Sequence, residues 1–250
     1  MIHKITLLRH GESLWNYENR FTGWTDVGLT KQGILEAKAA GKILDSNSIK
    51  FDLVYTSFLK RATKTMEICL EEMNLSKIKV KYDWRLNERH YGSLQGLDKI
   101  ETAKKYGENQ VLIWRRSYDI PPPIMDLNDR RHPRFDEKYN GVDSSLLPGS
   151  ESLKDTFNRF IPLWHDDIVK NIRLNKKILI VAHGNSLRAL VKYLDNISDK
   201  EIVKLNIPTG VPLVYELDSN LKSIKNYFLG DEKAIANKIL KVTNQAQSQS

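Results

Sequence analysis

The sequence predicts an α/β layer fold with a largely parallel sheet. Three observations carry this expectation. Short aliphatic runs alternate with longer amphipathic segments. The run Ile178-Leu179-Ile180-Val181 is aliphatic at every position, as a strand buried on both faces requires. Two of the aliphatic runs end in the same pair of residues, at His10-Gly11 and at His183-Gly184. A chain of 250 residues is ample for one such domain with a sizeable core.

Element by element, Ile5-Thr6-Leu7-Leu8 reads as a first strand ending at Arg9. Thr30 is placed to cap a helix running to about Leu44, with Ile34, Leu35, Ala37 and Ile43 as its buried positions. Phe51 to Thr56 supplies a second strand, and Ser57 a cap for a helix from about Leu59 to Met73. Ile78 to Tyr82 is extended, and Ser152 caps a helix from Leu153 to about Asn171. The central strand Ile178 to Val181 leads through His183-Gly184-Asn185-Ser186 into a helix ending near Leu194. Strands at Leu213 to Leu217 and Ser223 to Phe228 complete the sheet, and no internal repeat is present.

Two segments differ from this pattern. Residues 121–148 hold five of the eight prolines among dense charges, which reads as a long surface insertion within one domain and not as a linker. Residues 1–230 are therefore read as a single domain, and 231–250 as a mobile C-terminal tail. Within that tail Ala234 to Val242 forms a short helix anchored by Ile235, Ile239 and Leu240, and the polar end Asn244 to Ser250 has nothing to bury.

Composition narrows the classes of partner. With 39 Lys and Arg against 31 Asp and Glu, the net charge of +8 attracts anions such as phosphates, nucleic acid or acidic metabolites. The lone cysteine, Cys69, excludes an internal disulfide framework and a Cys-rich metal site, and it fits a reducing compartment. The aliphatic stretches fall far short of the roughly 18 apolar residues of a membrane helix. Met1 to His10 also lacks the apolar region of a signal peptide. The expectation is a soluble, cytoplasmic protein.

The run Arg9-His10-Gly11-Glu12-Ser13 stands at the C-terminal end of the first strand, the edge where open α/β sheets bind ligands. Gly11 permits close backbone approach, His10 can serve as nucleophile, and Arg9 offers a fixed fork of donors to a phosphate. A lone Arg-His pair in a polar loop has the blander reading of a solvated turn. Ala182-His183-Gly184-Asn185-Ser186 repeats the arrangement, so if the two strands are neighbours both imidazoles face one pocket. Metal binding is the rival use of two histidines, but the sequence has no His-Glu-x-x-His helix and no carboxylates at evident ligand spacing. Arg61, Leu86-Asn87-Glu88-Arg89 with Tyr91, and the Arg115-Arg116 pair each read alone as surface charges. Taken with the histidines they describe a pocket for several phosphate or carboxylate groups without magnesium. No phosphate-binding Gly-x-x-x-x-Gly-Lys loop and no nucleic-acid recognition motif is present.

Those runs, together with Trp15-Asn16, Phe21-Thr22-Gly23-Trp24, Trp114-Arg115-Arg116-Ser117-Tyr118-Asp119 and Gly149-Ser150-Glu151-Ser152-Leu153, resemble the cofactor-dependent phosphoglycerate mutases of the histidine phosphatase superfamily. The likeness spans about Ile2 to Asp231. Arg-His-Gly alone marks only the superfamily, which includes many phosphatases, whereas the Phe-Thr-Gly-Trp and Trp-Arg-Arg-Ser-Tyr segments narrow it to the mutase branch. Ile124 to Leu147 departs in residue content.

The resemblance implies a phosphoglycerate mutase-like three-layer α/β/α sandwich with a mostly parallel mixed sheet. It implies interconversion of 3-phosphoglycerate and 2-phosphoglycerate through a phosphohistidine, primed by 2,3-bisphosphoglycerate and needing no metal. The implied catalytic residues are Arg9, His10, Arg61, Glu88 and His183. Substrate binding falls to Arg9, His10, Arg61 and Glu88 together with Gly11, Glu12, Ser13, Asn16, Thr22, Gly23, Arg89, Tyr91, Lys99, Arg115, Arg116, Gly184 and Asn185. A cytoplasmic homo-oligomer acting on small phosphoglycerates, with no nucleic-acid or membrane partner, is implied as well, and so is a tail that closes over the site. The alternative is a bisphosphoglycerate synthase, a phosphatase or another histidine phosphatase using the same His10. Chemically, Arg9, Arg61 and a charged His183 should keep His10 neutral and stabilise a metaphosphate-like transition state. Glu88, set among substrate phosphates, is expected to have a raised pKa and to exchange a proton with the acceptor hydroxyl.

Overall fold

A computed structural model describes residues 2–244. The elements are β1 (His3–Arg9), α1 (Leu14–Tyr17), α2 (Lys31–Ser46), β2 (Leu53–Thr56), α3 (Lys60–Glu72), β3 (Val80–Tyr82), α4 (Lys99–Tyr106), α5 (Glu108–Arg116), α6 (Leu153–Leu163), α7 (Val169–Arg173), β4 (Ile178–Ala182), α8 (Gly184–Leu194), β5 (Pro212–Leu217), β6 (Ser223–Phe228) and α9 (Glu232–Asn244). Among the described residues six strands form one sheet in the order β3-β2-β4-β1-β5-β6. β3, β2, β4 and β1 pair in parallel, and β5 is antiparallel to both β1 and β6. The sheet is therefore mixed and mostly parallel, as expected.

Alternation along the central strands builds two cores. Ile5, Leu7, Ile178 and Ile180 face Phe160, Trp164, Ile172, Leu187 and Leu190 from α6 to α8. Leu8, Leu179 and Val181 face the other way, onto Ala40 and Leu44 of α2 and Met66, Cys69 and Leu70 of α3. Every β4 residue is buried, at a gain of about 1.5–3 kcal/mol for each large aliphatic side chain. Helices thus cover both faces of the sheet in three layers. Among the described residues, no helix is long and apolar enough to cross a membrane.

Several local expectations need correction. α2 buries Gly33, Glu36, Ala37, Ala40, Gly41 and Leu44, while Ile34 and Leu35 are exposed. Small residues define the buried stripe because a Cβ on Gly33 would sit 2.1 Å from the Glu12 carbonyl oxygen, and one on Gly41 2.6 Å from that of Cys69. Leu59, not Ser57, occupies the N-cap of α3. The helix expected from Leu153 to about Asn171 is present and runs without interruption to Arg173, with a π-helical turn over Trp164–Ile168 between α6 and α7. Pro162, lacking an N–H for the ladder, lies two residues before that widened turn. Helices α1, α4 and α5 were not anticipated, although Asp98 followed by Glu101 marks the start of α4, where the Asp98 carboxylate accepts from the Ile100 and Glu101 N–H groups.

The proline-rich segment 121–148 is exposed over most of its length yet buries Met125, His132, Tyr139 and Leu147. Tyr139 stacks near Trp24 and its hydroxyl accepts from Asn87 Nδ2, tying the segment to the loop that carries Glu88. In α9 Ile235 is buried and Ile239 half-buried, but Leu240 is 57% exposed and anchors nothing. Asn244 ends α9, and the rest of the expected polar end, 245–250, lies outside the described residues.

Candidate active site

The register pairs Arg9 with Ala182, so the residues that follow, His10 and His183, emerge side by side at one sheet edge. The His10 N–H bonds the Ala182 carbonyl, and the two imidazole centroids lie 5.0 Å apart. Gly11 is required here, since a Cβ would come within 2.2 Å of the Gly33 carbonyl oxygen at the start of α2.

Hydrogen bonds decide which nitrogen of His10 is free. Nδ1 lies 2.7 Å from the Gly11 carbonyl, which can only accept, so Nδ1 carries the proton and the lone pair resides on Nε2. Arg61 Nε donates to that Nε2 at 3.3 Å. Burial, then Arg61 and Arg9, hold the His10 pKa well below the ordinary histidine value. The same burial, with Arg61 next, lowers His183, which corrects the expectation that His183 is charged. His10 is kept neutral by desolvation and the two arginines.

Those arginines are fixed by carbonyl groups. Arg61, from the first turn of α3, donates to Gly23 and Thr25 carbonyls, and Arg9 donates to that of Ile207. Gly23 adopts φ +53° where a Cβ would collide with the Gln95 amide, while that amide oxygen accepts from Trp24 N. Glu88 lines the same cleft, and its Oε1 accepts from the backbone N–H of Arg89 at 2.7 Å and of Asn185 at 3.1 Å. Its loop is clamped by the buried Arg159–Glu151 ion pair. Arg159 donates to the carbonyls of Arg85, Asn87 and Glu88, and Glu151 accepts from His90 N.

One cleft is lined by Arg9, His10, Asn16, Thr22, Gly23, Arg61, Glu88, Tyr91, Lys99, Arg115, Arg116, Gly184 and Asn185. Five other expected residues stand outside that lining. Gly11 packs on Gly33, the Glu12 carboxylate accepts from Thr30, and Ser13 caps α1 against Asn16. Arg89 donates to the Arg115 carbonyl and lies over the Tyr91 ring. His183 is fully buried against His10.

The cleft also contains Arg20, Phe21, Arg188, Asn206 and Ile207, which sequence reasoning missed. Arg188 lies four residues beyond Gly184 on the same face of α8, a spacing that could have revealed it. Asn206, which accepts from Arg116, and Ile207 belong to the loop entering β5. Because β5 runs against β1, that loop starts at the edge where β1 and β4 end.

Crowded cations dominate the field. Burial, then Arg115 and Arg9, lower Lys99 to about 7. Burial first and neighbouring arginines next bring Arg115 to about 10 and Arg188 to about 9. Such a cluster disfavours its own charge and is relieved by an anion.

A pocket of buried cations around two paired imidazoles at a sheet edge is equipped for phosphoryl transfer through a histidine. Residues 5–127 and 123–228 match the model of the histidine phosphatase superfamily (branch 1), and the chain belongs to that family. It is accordingly an enzyme of a superfamily that includes phosphatases. Among solved structures it is similar to mycobacterial glucosyl-3-phosphoglycerate phosphatase complexed with VO3, at 22% identity and TM-score 0.69 over 90% of this chain and 97% of that one. The α-ribazole phosphatase of Shigella flexneri is similar at 21% identity and TM-score 0.65, over 89% and 94%. A putative α-ribazole-5′-P phosphatase of Escherichia coli K-12 is similar at 19% identity and TM-score 0.66, over 92% and 97%. At these identities the likeness is one of fold.

Proposed function

We propose that the chain is a phosphoglycerate mutase interconverting 3-phosphoglycerate and 2-phosphoglycerate. One observation carries this reading beyond the superfamily: a second cation group, the buried Lys99 with half-buried Arg115 and Arg116, lines the same cleft as Arg9, His10 and Arg61. Two cationic groups suit a substrate with an anion at each end, and the bidentate arginine fork accepts carboxylate and phosphate alike. Bound 2,3-bisphosphoglycerate supplies the phosphoryl group that primes the enzyme, and the same two cation groups fit its charges.

In this mechanism the Nε2 lone pair of His10 forms the N–P bond as the P–O bond to the glycerate oxygen breaks. Glu88 returns a proton to that leaving oxygen. In the reverse sense an acceptor hydroxyl gives its proton to Glu88 while its oxygen takes the phosphoryl group from Nε2. Arg9 and Arg61 neutralise charge spreading over the equatorial oxygens. A cytoplasmic homo-oligomer, and closure of the 231–250 tail over the site, are proposed with this reading.

The second reading is a phosphatase, in which water replaces the acceptor hydroxyl, and the names of the similar solved structures favour it. A coupled assay for 2-phosphoglycerate, with and without 2,3-bisphosphoglycerate and in excess EDTA, separates the two. The mutase reading expects turnover that needs the primer and survives EDTA. Release of inorganic phosphate without formation of 2-phosphoglycerate refutes it.

A further inference from the structure

One peptide group behind the nucleophile is held from both sides. His10 Nδ1–H donates to the Gly11 carbonyl at 2.7 Å, and the N–H of that same peptide unit, on Glu12, donates to Glu36 Oε2 at 2.9 Å. No cis peptide bond occurs among the described residues, so this C=O and this N–H point in opposite directions. The result is a chain from the imidazole through one amide to a carboxylate. In such chains each hydrogen bond polarises and strengthens the next.

Glu36 is 8% exposed and is not among the residues lining the cleft. The packing of Gly33 on Gly11 and Glu12, too close for a Cβ on Gly33, sets the first turn of α2 against this peptide, and Glu36 follows three residues later on the same face. Its two oxygens are divided between partners. Oε1 pairs with Lys238 Nζ of α9 at 2.9 Å, which leaves Oε2 for the Glu12 amide. Lys238 is itself fixed by donating to the Thr209 carbonyl. The charge of Glu36 also acts on Arg9, the residue before His10.

A carboxylate in this place has a use in phosphoryl transfer. As the Nε2 lone pair forms the N–P bond, the electron pair of the breaking P–O bond leaves with the departing oxygen, which takes its proton from Glu88. Nδ1 keeps its proton, so the phosphorylated ring is a cation whose N–H still faces the Gly11 carbonyl. We propose that Glu36 is a positioning residue that acts on His10 through the Gly11–Glu12 peptide, fixing the carbonyl that orients the ring and favouring the cationic ring formed on phosphorylation. The proposal rests on the reading of His10 as nucleophile.

The test is NMR of the full-length protein at pH 7, following the His10 Nδ1–H and Glu12 amide protons, with single-turnover labelling of His10 by 2,3-bisphosphoglycerate. His10→Gln assigns the ring signal. Glu36→Gln keeps an acceptor for the Glu12 amide and removes the charge, whereas Glu36→Met removes both. Both protons should move upfield together, modestly in Glu36→Gln and further in Glu36→Met. At saturating donor the labelling rate should fall about 5–10-fold in Glu36→Gln, the scale of a charge-assisted bond made neutral. In Glu36→Met it should fall about 10²-fold, as for a misplaced reacting group. The donor concentration giving half the maximal rate should change little in either, because Glu36 lies outside the cleft lining. A Glu12 amide proton that moves while His10 Nδ1–H does not, or an unchanged labelling rate in Glu36→Met, overturns the proposal. If Glu36→Met does not fold, the same two protons in Glu36→Gln decide it. Failure of the unmodified protein to take up label would instead refute the reading of His10, and the joint movement of the two protons would still be read.

Discussion

Replacing Lys99 by Met should make the ligand-free protein more stable at neutral pH while weakening anion binding. Burial, Arg115 and Arg9 pull the Lys99 pKa from 10.5 to about 7. Because the folded-state pKa lies below the unfolded one, folding disfavours the protonated amine. The cost is fully present below pH 7 and fades as pH rises from 7 toward 10.5. At 1.36 kcal/mol per unit it amounts to about 4–5 kcal/mol near pH 7, as an order of magnitude. An anion in the cleft restores the charge, so binding at pH 7 should take up about half a proton at this group. Sulfate is the suitable ligand, since it does not titrate near neutrality. Calorimetry in buffers of different ionisation enthalpy measures the uptake, and the expected difference between the unmodified protein and Lys99→Met is about half a proton. Sulfate affinity should fall about 10–100-fold with loss of a charged hydrogen bond. In the absence of ligand, the Tm advantage of Lys99→Met should shrink between pH 7 and 9. Equal proton uptake in both proteins, with no Tm gain for the variant, would refute the reasoning.

His10→Ala should abolish acid-labile phosphoryl labelling along with turnover, and label retained elsewhere on the chain would displace His10 as nucleophile. Glu88→Gln should cut turnover by about 10²–10⁴-fold while sulfate still binds, so undiminished turnover would remove Glu88 from proton transfer. Glu151→Gln leaves the buried Arg159 charge without its partner and should cost about 3–5 kcal/mol, read as a fall in Tm. A fall below about 0.5 kcal/mol would show that the clamp is not structural. Truncation after Gly230 removes buried Ile235 and the Lys238–Glu36 ion pair, and should raise the ratio of inorganic phosphate released to 2-phosphoglycerate formed. Removing only 245–250 should leave that ratio nearly unchanged, and an unaltered ratio in the longer truncation rules out a lid.

Features that depend on short-range order are legible along the chain. Unbroken aliphatic runs such as Ile178 to Val181 specify strands buried on both faces, and the two strand-to-His-Gly junctions specify where the imidazoles leave the sheet. Arg9, Arg61, Glu88, Arg115 and Arg116 are nominated only in company with the two histidines, and Lys99 only through the family resemblance; all six line the cleft. Features that depend on contacts distant in the chain emerge only once it is packed. Asn206 and Ile207 enter the cleft through the direction of β5, which local periodicity does not encode, whereas helical spacing already sets Arg188 on the Gly184 face of α8. Gly11, Glu12 and Ser13 share a motif with His10 yet spend their groups on Gly33, Thr30 and Asn16. The neutral state of His183 is likewise set by complete burial and by Arg61, a residue over a hundred positions away in sequence. Whether a side chain is charged and what it touches are properties of the packed chain, since desolvation and hydrogen-bond partners exist only once remote segments meet.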